Sequence, residues 1–218
     1  LSEINLVAPD GSAFRTANVE TGASAVKLPL LDVDSGEHYS PGDHEVVAVR
    51  DGEEVSSTTI DLRPDLRVLD VEQYSGGEDS PQNRANLLVT VENTGTAPTW
   101  VYYLAYEGTP SETHTPRENH RKNSPSKSLE KPESSAKTIV SLDSPKAFLG
   151  KWPPFRFSGD EHCREMTVDF TLTVYSGVGE NIEQRLRATL SGEKLQELHR
   201  VTCTEISIEM IGDGGGNE

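Results

Sequence analysis

Basic side chains are scarce in this sequence: 20 Lys plus Arg stand against 36 Asp plus Glu, a formal net charge of -16 over 218 residues. That balance excludes a duplex nucleic-acid partner, whose phosphates need a basic surface to neutralise them. Apolar residues are also few, at 33% of the chain. This is low for a globular protein but above the level typical of disorder, so the core must be assembled from narrow apolar stripes. No run of about 18 apolar residues occurs, and no segment reads as a membrane span. Catalytic signatures are missing too. There is no Gly-x-Ser-x-Gly elbow, no Gly-rich loop leading from a strand into a helix, and no nucleophile–base pairing suggested by the six histidines. Paired carboxylates are so common here that they carry no information about acid–base work. An enzyme is not expected, and no catalytic residue, metal ligand or cofactor is assigned.

What the chain has in abundance is acid, spread along its length rather than gathered in a tail. Spread acids with few lysines and small apolar residues read as adaptation to molar salt. There the Debye length falls to about 3 Å, self-repulsion is screened, and carboxylates keep the surface hydrated. Stability is therefore expected to fall below roughly 0.5 M salt as screening weakens. A melting temperature equal in dilute and molar salt would refute that reading. The chain opens on Leu1 rather than Met, and the expectation is a trimmed protein whose leader or N-terminal anchor has been lost.

Period-2 alternation dominates the sequence. Along 166–175, Met166, Val168, Phe170, Leu172 and Val174 alternate with Thr and Asp, the pattern of a strand with one buried face. Leu87, Val89 and Val91 repeat it. The stretch 100–106 is apolar on both faces and is expected to be a central strand or one lying under a loop. Asp51-Gly52 predicts a two-residue hairpin turn, and further turns are expected at Asn93-Thr94-Gly95 and at 177–181. Strands are also expected at 4–7, 26–31, 66–72 and 201–211, the last with a bulge near Thr204-Glu205 to reconcile two parities. Only 191–199 looks helical, with Ser191 as its cap.

These elements predict an all-β fold of two tandem immunoglobulin-like β-sandwich domains. The first spans 1–63 and is small. The second spans 64–212 and carries a long polar insertion at about 109–136; a flexible Gly-rich tail follows at 213–218. The segment Pro64-Asp65-Leu66-Arg67-Val68 leads into Val89-Thr90-Val91-Glu92-Asn93-Thr94-Gly95. This resembles the opening of the CARDB-type adhesion module, an immunoglobulin-like sandwich of archaeal and bacterial surface proteins, here in a haloarchaeal-type secreted or cell-surface setting. The segment before it, with Val46, Val47 and Val49 and then Ser57-Thr58-Thr59-Ile60, is similar to the closing hairpin of another immunoglobulin-like domain. The resemblance covers about a third of the chain and departs from the family after Tyr106, where the polar insertion replaces a short loop. It implies a surface-displayed binding or spacer module and no catalytic residues.

Cys163 and Cys203 are expected to form one disulfide, as an isolated pair in a Thr- and Gly-rich β protein. Zinc is the rival, since His162 and His199 complete a ligand set. Residues 199 and 203 of an extended strand lie about 13 Å apart, however, and adjacent His162 and Cys163 point to opposite faces. Asp32-x-Asp34-x-Gly36-Glu37 has the start of a calcium loop without its distal ligands and reads as solvated. The insertion is locally basic, so Arg117, His120, Arg121 and Lys122 are candidate partner contacts, together with Trp152 beside Pro153-Pro154. The expected function is a non-catalytic adhesion or spacer protein, extracellular or on a cell or virion surface, whose partner is a protein, a surface glycan or another copy of itself. The alternative is a self-assembling structural subunit of a virion, pilus or surface layer. A secreted metal-dependent enzyme ranks third.

Overall fold

Residues 1–76, 80–111, 129, 138–157, 163–197 and 200–212 are described by the computed structural model. The N-terminal part contributes β1 (Glu3–Val7), β2 (Ala13–Asn18), β3 (Leu31–Asp32), β4 (Glu37–His38), β5 (Gly42–Arg50) and β6 (Glu53–Leu62). Four of these form an antiparallel sheet in the order β2-β1-β5-β6, and β3 pairs with β4 in a separate short hairpin. β1 is an interior strand, paired along its length with β2 on one side and β5 on the other. Asp51 and Gly52, with φ of 52° and 84°, make the tight turn between β5 and β6. The strand expected at 26–31 is not formed; only its last residue, Leu31, pairs. β2 is present where no strand was expected, because its alternation is short and interrupted by Arg15.

The rest builds a sandwich. Its strands are β7 (Leu66–Gln73), β8 (Leu87–Asn93), β9 (Thr99–Glu107), β10 (Ile139–Val140), β11 (Lys146–Leu149), β12 (Met166–Ser176), β13 (Ile182–Glu197) and β14 (Arg200–Met210), with one four-residue helix, α1 (Pro81–Arg84). Ser80 caps α1 by accepting from Asn83 N, and Pro81 starts it where a missing N–H costs nothing. A five-stranded sheet, β10-β9-β12-β13-β14, faces a three-stranded sheet, β11-β8-β7. Leu87, Val89 and Val91 on β8 pack with Phe170, Leu172 and Val174 on β12 and Leu186, Ala188 and Leu190 on β13 in one core. The period-2 stripes thus meet as their spacing requires.

The helix expected at 191–199 is not there. Residues 191–197 belong to β13, and 198–199 lie outside the described residues. Gly192, at φ 79°, starts a bulge in which Gly192 and Glu193 face Thr204 alone, and Glu193 N donates to Thr204 Oγ1. A residue at positive φ breaks a helix but suits a glycine bulge. The irregularity expected near Thr204-Glu205 is therefore real, but the extra residue sits on β13.

β9 explains its doubly apolar pattern. Val101, Leu104 and Tyr106 face the sandwich core, whereas Trp100, Tyr102, Tyr103 and Ala105 join a second cluster with Leu6, Val33, Tyr39 and Leu62. What covers the outer face is thus N-terminal, Leu6 and Leu62 from the sheet together with Val33 and Tyr39 from the non-strand segments beside the short hairpin. Tyr39 donates its hydroxyl to Pro98 O at 2.9 Å, and His38 lies 5.8 Å from the Trp100 ring. A Cβ on Gly177 would fall within the Trp100 indole, which is why the turn after β12 begins with glycine. The junction between the halves is clamped as well. Thr96 N donates to Arg63 O, Arg63 N to Thr96 Oγ1, and Thr94 N to Asp65 O. Buried Asn93 orders this turn, donating to Ala97 O and Val140 O and accepting from Asp65 N and Gly95 N.

Candidate functional site

Cys163 and Cys203 are joined in a disulfide with Cα atoms 5.4 Å apart. Cys203 is fully buried on β14, while Cys163 precedes β12, and its sulfur lies against Thr202 O. Six residues before Cys163, Phe157 forms an antiparallel bridge with Val201, its N–H and C=O both bonded to that residue. Phe157 and Cys163 therefore dock on the same stretch of β14. Among the described residues, no group of three or more His, Cys, Asp or Glu side chains converges to hold a metal. Asp32 instead accepts from Asp34 N and Ser35 N in its own turn. Those bonds, Ser35 first, hold its carboxyl below the ordinary value.

Trp152 lies in the segment between β11 and β12, three residues past Leu149. It is 48% exposed, whereas Trp100, the other tryptophan of the chain, is fully buried. The chain is held on both sides of Trp152. Asn86 Nδ2 donates to Gly150 O at 2.6 Å, Ser111 N to Pro154 O at 3.0 Å, and Phe155 N to Ala85 O at 3.1 Å. Pro153, Pro154 and Phe155 are buried immediately after the exposed Lys151 and Trp152. Leu129, an apolar residue in the polar insertion, is buried and bridges Gly150. An aromatic side chain held out by an anchored loop is already ordered for contact, so less entropy is lost when a partner covers it. The other candidate contacts, Arg117, His120, Arg121 and Lys122, lie outside the described residues.

A second surface went unnoticed in the sequence. β6 is the edge of its sheet, and every residue but Leu62 is exposed. Val55 to Ile60 carries no charge between Glu54 and Asp61, and both of its apolar ends face solvent. Six uncharged exposed residues in so acidic a chain were the signal that could have identified it. Such an edge offers unpaired backbone groups to another strand.

Compared with protein-family models, curated proteins and solved structures, the chain matches none.

Proposed function

We propose that this chain is a non-catalytic extracellular adhesion or spacer protein, built from two immunoglobulin-like halves, that presents a binding face around the loop bearing Trp152. The observation that carries the reading is the anchored loop, which holds one of two tryptophans half exposed. Exposed aromatics on ordered supports are favoured as binding anchors. The disulfide is consistent with an oxidising compartment. Among the described residues no helix is long and apolar enough to cross a membrane.

Labelled protein applied to immobilised acidic and neutral polysaccharides in molar salt tests this reading. Trp152→Ala is expected to lower retention at least about fivefold, the effect of losing an anchor worth more than about 1 kcal/mol. Because the side chain is half exposed, the variant should keep its melting temperature. Equal retention by variant and parent would refute the binding face.

The β6 edge favours a second reading, a self-assembling subunit of a virion, pilus or surface layer in which copies pair edge to edge. Native mass in molar salt separates the two. A monomer supports the adhesion module, and closed rings or filaments support the subunit.

A further inference from the structure

Two arginines share one face where the segment bearing Trp152 crosses β14. Because Phe157 and Val201 are antiparallel bridge partners, Arg156 lies across from Thr202, on the face turned away from the core that Phe157 and Val201 enter. Arg200, two residues before Thr202 on β14, shares that face. Arg156 Nη2 donates to Gln82 Oε1 at 2.9 Å, which fixes one edge of its guanidinium. Arg156 Nε and Thr202 Oγ1 are both buried without a hydrogen-bond partner. Burial, and next the charge of Arg200, hold Arg156 below its ordinary pKa.

Among the described residues neither Arg156 nor Arg200 forms an ion pair, although acids outnumber bases 36 to 20 in this chain; exposed Glu197, opposite Arg200 on β13, does not reach it. Like charges on one face, beside two unsatisfied buried polar groups, leave the corner short of an acceptor. An oxyanion supplies what is missing: negative charge between the guanidinium groups and lone pairs for Nε–H and for the threonine hydroxyl. Guanidinium forks suit planar or tetrahedral oxyanions, and a charge-assisted pair gains more than a neutral one.

We infer that Arg156, Arg200 and Thr202, with Gln82 bracing Arg156, form a binding site for a single carboxylate or sulfate group. The site deepens the binding-face reading, and it rests on that reading only in making the anion part of a larger partner, since one segment carries both Trp152 and Arg156.

Calorimetric titration of the full chain in sodium chloride at constant ionic strength tests the site, with inorganic sulfate, glucuronate, glucose 6-sulfate and glucose as probes. Sulfate and glucuronate should bind and glucose should not. Arg200→Gln should weaken anion binding at least about tenfold, the loss expected from one hydrogen bond to a charged group. Arg200 is exposed, so this variant should fold. In chloride alone it should melt higher than the parent, because a like charge has been removed. Absent anion binding, unchanged affinity in Arg200→Gln, or a lower melting temperature for that variant in chloride would each overturn the site. Glucose 6-sulfate binding more tightly than sulfate assigns the group to a saccharide, and parity assigns it to the free ion. Trp152→Ala should leave sulfate affinity unchanged, so a failed binding face and a failed anion site give different results.

Discussion

Replacing Trp100 with alanine is expected to destabilise the protein by about 3–5 kcal/mol, the usual cost of emptying a large buried aromatic site. The damage should be uneven. Trp100 is fully buried on the outer face of β9, where the second core cluster joins Leu6, Tyr39 and Leu62 to Tyr102, Ala105 and Val178. It thus links the N-terminal sheet to the sandwich, while the sandwich's own core, built on Leu87, Leu172 and Leu186, does not include it. Native-state hydrogen exchange should show amides of β1 and β5 losing protection more than those of β8 and β12. Uniform loss across all four strands would mean that the two halves open only together. A cost below about 1 kcal/mol would mean that the indole is not packed as described.

Removing the disulfide is expected to cost about 4 kcal/mol. The bridge closes a separation of 40 residues, and the chain-entropy relation gives that figure for a loop of this length. The denaturation midpoint of the Cys163→Ala/Cys203→Ala double variant should fall accordingly, with the slope against denaturant preserved if the native fold is kept. Cys203 is fully buried but Cys163 only half-buried, so reductant should enter at the Cys163 sulfur, and reduction should speed up once the protein is unfolded. Intact mass after reduction in denaturant should rise by about two hydrogens. An unchanged mass would show that the thiols are free.

Where burial is one-sided, the sequence was readable. Phe170, Leu172 and Val174 alternate with Thr171 and Thr173 because one face of β12 meets the core and the other does not, and the buried set is the expected one. Asp51-Gly52 was equally plain, since few residue pairs accept two positive φ angles in succession. The errors have physical causes. In the 191–199 stretch, Leu195 and Leu198 fall at helical spacing, but Gly192 opens a bulge whose effect depends on Thr204 across the strand pair, and cross-strand contacts leave no local trace. The second apolar face of β9 was visible, yet its cover comes from residues such as Tyr39, far away in sequence. Trp152 was recognised as a candidate contact. Arg156 and Arg200 were not, because 44 positions separate them and only the Phe157–Val201 bridge brings them onto one face.

The interior position of β1 has a mechanical consequence. Here the residues after Leu1 enter the middle of a sheet, bonded to β2 and β5 on opposite sides, with Ser2 N and Oγ also tied to Val49 O. Tension applied at Leu1 meets two rows of backbone bonds that must give way together, and beneath them Leu6 is seated in the cluster that holds Trp100. Load on β1 therefore passes directly into the contact between the two halves of the molecule.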